Sequence, residues 1–252
     1  MKKRYPVADA HCDFLYGAVN KKYDISTLTD RQITFLPYLI RGGVKMQFFA
    51  AWIDTKLRTA YPEQCINMID AYYRMIEKND QLVPMTKDFS PDSGKIAAVL
   101  TIEGGEAING NTAYLRMFYK LGVRAMSLTW NETNELASPA MRRANKGLTV
   151  LGKKIVRDMC EIGMAVDVSH LSDAGIDEVL SISAKPIFAS HSNAIKICEH
   201  PRSLLDRHIK AIAESGGVMC VNFFPAQLSG RRYSTIDDVR RHIDHFVRIG
   251  GI

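Results

Sequence analysis

The sequence predicts an α/β protein of the (β/α)8 barrel type, on three observations. Short apolar runs alternate with amphipathic segments along the chain, the order that a parallel sheet with crossover helices requires. The runs are rich in Val, Ile, Leu and Ala, as strands buried on both faces are. Four of them close on side chains able to bind a metal, and the carboxyl ends of barrel strands are where such folds keep their chemistry.

Taken in order, the strands are expected at Val7 to Asp13, Val44 to Ile53, Ile96 to Gly104, Val123 to Trp130, Ala165 to His170, Pro186 to Ser192 and Gly217 to Phe224. Between them, apolar residues recur at helical spacing: Ile66, Ile69, Tyr73 and Ile76; Leu115, Phe118 and Leu121; Leu151, Ile155, Met159 and Ile162; Ile209 and Ile212; Ile236, Val239, Ile243 and Phe246. Ser172, Ser203 and Ser234 suit helix N-caps, and Gly43, Gly163 and Gly250 suit C-terminal caps. A closed barrel needs eight strands and seven are counted. The expectation is a gapped barrel, truncated before an eighth strand and helix. The irregular stretch Asn131 to Lys146 follows the fourth strand, where loops shape a substrate pocket.

Composition sets the bounds. At 252 residues, 46% hydrophobic and 24% charged, the chain suits one barrel domain spanning residues 1–252. The formal charge of +6 is spread along the chain, and its basic patches lack the aromatic interleaving of a nucleic-acid surface. Five cysteines without a C-x-x-C pair fit reduced thiols, and hence the cytoplasm. No segment resembles a signal peptide or a membrane span.

The candidate metal ligands are His11, Asp13, Glu103, His170 and His191, all at strand ends. Residues two apart on a strand face one side, so His11 and Asp13 can reach one ion while Cys12 points away. Imidazole and carboxylate suit Zn²⁺ or a neighbouring divalent ion, and the two oxygens of Glu103 could span two. The other four histidines carry plainer readings. His200 and His208 flank a helical segment, and His242 and His245 are spaced to face water on a basic helix.

These stretches together resemble the membrane (renal-type) dipeptidase family of binuclear zinc peptidases, within the amidohydrolase-like barrels. The resemblance runs through DAHCD, LIRGGVKMQFFAAW, IEGGEAI, LRMFYKLGVRAMSLTWNETNELA, GLTVLGKKIVRDMCEIGMAVDVSHLSD, PIFASHSNA, HPRSL and GGVMCVNFFP, in family order. It implies two zinc ions, one held by His11 and Asp13, the other by His170 and His191, with Glu103 bridging. It also implies that Arg202, in HPRSL, binds the substrate carboxylate, a task suited to a planar guanidinium. The implied activity is hydrolysis of short carboxylated dipeptides by a hydroxide bridging the metals. The alternatives are a related barrel amidohydrolase acting on another amide or lactone, and a catalytically incompetent remnant. The implied partner is a small dipeptide, with neither nucleic acid nor membrane, and a homodimer is an open option. Two departures stand out. Trp130 occupies the place where mammalian members have a histidine that polarises the scissile carbonyl, and an indole N–H can donate but not exchange a proton. The family's eighth-strand aspartate, which contacts the metal-bound water, falls beyond Ile252.

Overall fold

The computed structural model describes residues 5–142 and 144–251. The elements run β1 (Val7–Asp9), α1 (Phe14–Asn20), α2 (Leu36–Gly42), β2 (Val44–Trp52), α3 (Tyr61–Glu77), β3 (Leu82–Pro84), β4 (Ile96–Glu103), α4 (Thr112–Lys120) and β5 (Val123–Ser127). They continue α5 (Val150–Ile162), β6 (Ala165–Asp167), α6 (Asp173–Ile182), β7 (Phe188–Ser192), α7 (Asp206–Glu214), β8 (Val218–Val221), α8 (Pro225–Leu228) and α9 (Ile236–Gly250). All ladders are parallel, in the order β1-β2-β4-β5-β6-β7-β8. This is a sheet curled most of the way into a (β/α)8-type barrel.

The seven expected strands are present, and β3 is an addition. It pairs with the first residues of β4, Leu82 opposite Ile96, and stands off the circuit. Among the described residues no ladder joins β1 to β8, so the barrel is open along that seam. A cavity of about 1250 Å³ runs from the carboxyl ends of the strands into the seam, where Ala8 of β1, Met219 of β8 and Ile243 of α9 line it.

Strand alternation sorts the residues. β4 is buried over its whole length, and Ile96, Ala98, Leu100 and Ile102 join the apolar cluster beneath the helices. Ala97, Val99, Thr101 and Glu103 take the opposite face by the period of two, which carries the Glu103 carboxylate into the barrel. Each helix offers one apolar stripe to this wall. On α3 it is Cys65, Met68, Ile69, Tyr72 and Met75, at the three-and-four spacing of a buried helical face.

Strands end earlier than the apolar runs suggest. β1 stops at Asp9, so His11 and Asp13 stand on the turn into α1, and Asp13 occupies its N-cap position. β6 stops at Asp167, leaving His170 in a turn. Helix starts also differ: Ser172 caps α6 as expected, whereas α7 begins behind Leu205 and α9 behind Thr235, in a capping box with Asp238. The histidine pair of α9 faces inward. His242 and His245 are buried, because the apolar stripe that includes Phe246 takes them with it. No helix among the described residues is long and apolar enough to cross a membrane.

Candidate metal centre

Glu103 sits at the middle of the site, at the end of β4, where Gly104 turns the chain sharply out of the strand. Gly104 has φ +101°, in the region that favours glycine, and its N–H donates to Ser127 Oγ at 3.2 Å. The carboxylate is buried and its two oxygens face different neighbours. Oε2 lies 3.6 Å from His11 Nε2, which in turn lies 3.4 Å from Asp13 Oδ1. Oε1 lies 2.9 Å from His170 Nε2 and 3.4 Å from His191 Nε2.

All five predicted side chains therefore converge, though three of them, His11, Asp13 and His170, reach the site by turns rather than by strand alternation. His170 does so with φ +70°, a left-handed conformation that costs a non-glycine residue on the order of 1–3 kcal/mol and tends to gather at functional sites. Cys12 turns away to pack against the apolar core. The His11 and His191 rings lie 3.9 Å apart between centroids, and His170 and His191 lie 5.0 Å apart.

The chemistry of this donor set fits a cation. His170 Nε2 and His191 Nε2 approach to 2.9 Å, and Glu103 Oε1 faces both, so three lone-pair atoms crowd one point. Ligand atoms about 2 Å from a tetrahedral ion lie about 3.3 Å from one another. The separations within the His11, Asp13 and Glu103 group, 3.4 and 3.6 Å, match that spacing. Donor atoms of His11, Glu103 and His191 also lie within 4.8 Å of one another.

The electrostatics divide the imidazoles. Burial alone would lower the His11 pKa, but Glu103, helped by Asp13, overrides it and raises it to about 9. Burial and then the neighbouring Arg202 cation lower His170 to about 4, against the pull of Glu103. His191 is lowered as well, by burial and by the charge on His11. Burial works to neutralise Glu103, yet His11 and His170 outweigh it and hold the carboxylate well below its ordinary range. Without a cation the proton therefore favours His11, while Glu103 stays charged and the His170 and His191 rings stay neutral.

Arg202 is buried at 6% exposure, with Nη1 at 2.7 and 2.6 Å from the two His170 ring nitrogens. Its Nε has no hydrogen-bond partner among the described residues. Burial lowers its pKa to about 10, so it remains a cation. Trp130 lines the cavity past β5, edge-on to Trp52 at 5.0 Å and 6.3 Å from His170.

Three polar residues that support the site went unmarked in the sequence. Asn131 Oδ1 accepts from His170 Nδ1 at 3.0 Å, Ser190 Oγ contacts His191 Nδ1 at 2.8 Å, and Asp167 contacts Ser190. A signal existed for Asp167, since an acidic residue inside an apolar strand needs a partner. The loop after β5 contributes as expected, with Asn131 and Met141 in the cavity wall.

The chain matches the family model for membrane dipeptidase, peptidase family M19, over residues 1–252. It is 32% identical over 275 residues to an uncharacterized dipeptidase of Schizosaccharomyces pombe, covering 98% of this chain and 66% of the relative. With dipeptidase 3 of Mus musculus it shares 29% identity over 274 residues, covering 100% of this chain and 55% of that protein. The chain spans between about half and two thirds of the length of these curated relatives. Its fold superposes with a TM-score of 0.88, at 26% identity, on a crystal structure described as a dipeptidase and metallo peptidase of family M19, covering 99% of this chain and 82% of the other. A metallo peptidase from Rhodobacter sphaeroides, liganded with a phosphinate mimic of L-Ala-D-Ala, superposes with a TM-score of 0.87 at 24% identity, covering 99% and 84%.

Proposed function

The chain belongs to the membrane dipeptidase family, peptidase family M19, and from that premise we propose that it is a zinc-dependent dipeptidase acting on short substrates with a free carboxylate. The observation that carries the reading is the division of Glu103, one oxygen toward His11 and Asp13 and the other toward His170 and His191. Such a division suits two divalent ions sharing one carboxylate. The mixed imidazole and carboxylate donors favour Zn²⁺ over Mg²⁺ or Ca²⁺, which prefer oxygen alone. Bound there, the ions supply Lewis acidity and a water made nucleophilic near neutral pH.

The chain's own residues do the rest. Glu103 holds the two halves of the site together, while Asn131 fixes the His170 ring so that Nε2 faces inward. Arg202 presents a buried cation with an unpartnered Nε at the cavity wall, and a dipeptide's terminal carboxylate is the anion that this position suits. Trp130 forms an apolar wall beside His170 and limits solvent there, without acting as a base. The five cysteines are unpaired, which supports a reducing compartment, the cytoplasm.

The test is hydrolysis of an unmodified dipeptide before and after chelation, with Zn²⁺ then added back. Activity should disappear on chelation and return with zinc. Hydrolysis indifferent to the chelator would overturn the metal mechanism.

A further inference from the structure

Asp167 and Ser190 form a chain of hydrogen bonds to His191 whose direction is fixed by counting protons. Asp167 is buried in the barrel at the end of β6. Its Oδ1 accepts the N–H groups of Ser169 at 2.9 Å and Ser190 at 3.0 Å. Its Oδ2 lies 2.5 Å from Ser190 Oγ, and Ser190 Oγ lies 2.8 Å from His191 Nδ1. A carboxylate can only accept, so the Ser190 hydroxyl proton belongs to Asp167. The competing acceptors for that proton, Ser169 Oγ at 3.3 Å and a neutral His191 Nδ1 at 2.8 Å, are both farther and uncharged, and the shorter charge-assisted bond prevails. A hydroxyl has one proton, so toward His191 the same oxygen can only accept. The imidazole proton must then sit on Nδ1, and Nε2 keeps its lone pair facing Glu103.

We propose that Asp167 and Ser190 are positioning residues that lock His191 in the Nδ1–H tautomer and thereby present Nε2 to a metal ion. The proposal rests on the metal reading above and adds a cause to it. Metal-binding histidines commonly pass their second ring proton to a carboxylate or a carbonyl; here a serine is interposed. Ser169 holds the other coordinate of the ring by accepting the His191 backbone N–H at 3.1 Å, so both backbone and ring are set by residues that line the same short path.

A purely structural role for these buried polar groups makes a different forecast, and Asp167→Asn separates the two. The amide is nearly isosteric and its oxygen can still accept the two backbone N–H groups. Its NH2 would donate to Ser190 Oγ, turning the hydroxyl proton toward His191 Nδ1 and moving the imidazole proton to Nε2. The experiment is long-range ¹H–¹⁵N correlation spectroscopy of the metal-free protein labelled at histidine nitrogen, with the His191 signals assigned by their loss in His191→Ala, alongside zinc affinity by competition with a chromophoric chelator. Wild type should show Nδ1–H, and Asp167→Asn should show Nε2–H with zinc affinity lowered about 10- to 100-fold, the range typical of residues that orient a ligand. Ser190→Ala should weaken zinc binding by a similar factor, and Ser190→Thr, which restores the hydroxyl, should recover it. A wild-type His191 protonated at Nε2 would overturn the proposal without recourse to any variant. So would an Asp167→Asn protein with unchanged tautomer and unchanged zinc affinity. Failure of wild type to bind zinc would instead defeat the metal reading itself, an outcome that the metal-free spectra do not share.

Discussion

Two sets of buried histidines occupy this barrel, and they differ in where their second nitrogen goes. On α9, His242 accepts the Ala194 N–H at Nδ1, 3.0 Å, and donates from Nε2 to the Leu228 carbonyl at 2.8 Å. His245 donates to Asp206 Oδ1 at 2.7 Å and accepts from Arg248 at 2.8 Å. Each ring has one partner per nitrogen and nothing is left over. At the strand ends, Nδ1 of His170 and His191 is likewise engaged, by Asn131 and Ser190. Their Nε2 atoms, however, point at each other and at one carboxylate oxygen. Hydrogen bonding at Nδ1 is thus common to both sets; what marks the site is the convergence of two Nε2 atoms and a carboxylate oxygen on one point, beside the Arg202 cation.

The largest effect should come from removing the shared carboxylate. Glu103→Gln leaves the shape but withdraws the charge from both donor pairs, so it should exceed the roughly 100-fold that outer partners of a metal site command. A fall in kcat/KM of about a thousandfold, or about 4 kcal/mol, with loss of bound metal by elemental analysis, is the expected result. Retained metal would break the distinction between the two histidine sets.

Arg202→Ala comes next. A desolvated arginine paired with a carboxylate is worth about 2 to 5 kcal/mol, or roughly 30-fold to several thousand-fold. The loss in kcat/KM should fall on a dipeptide and largely spare its C-terminal amide. Equal losses on both would remove Arg202 from carboxylate recognition.

His242→Ala should do the reverse of a site variant. It orphans a buried N–H and a buried carbonyl, at about 1–3 kcal/mol each, and should lower Tm by roughly 5–15 °C at the sensitivity of a domain this size. Zinc affinity below the transition should stay at the wild-type value. Thermal unfolding with and without zinc reads both quantities.

The smallest effect is on pH dependence. Burial lowers the pKa of His242, and of His208 on α7, below the ordinary 6.5. The folded state then binds fewer protons than the unfolded one, so the stability these rings contribute is present above about pH 6.5 and is lost as pH falls through their folded values. Wild-type Tm should decline on acidification below that point, and His242→Ala should decline less steeply. Parallel slopes would mean that burial does not hold His242 neutral.

Much of this was legible in the sequence because a parallel barrel writes its strands as apolar runs. The five converging side chains could be read off for the same reason. Boundaries were less legible: His11 and His170 sit beyond their strands because the turn, not the pleat, aims them, and apolar content does not reveal where pairing stops. β3 escaped notice because Leu82–Pro84 is three residues long and ends in proline, which cannot donate to a ladder. His242 and His245 read as solvent-facing because arginines and aspartates surround them, yet a helix buries by angle rather than by neighbourhood. Asp167 and Ser190 were unmarked because their role depends on β6 and β7 lying side by side.

The most direct test is anomalous X-ray scattering at the zinc edge from crystals of the protein loaded with Zn²⁺. The account predicts two peaks about 3.5–4 Å apart, one among His11, Asp13 and Glu103 and the other among Glu103, His170 and His191. A single peak there, or zinc between His245 and Asp206 or between His208 and Asp177 with none at Glu103, would contradict it.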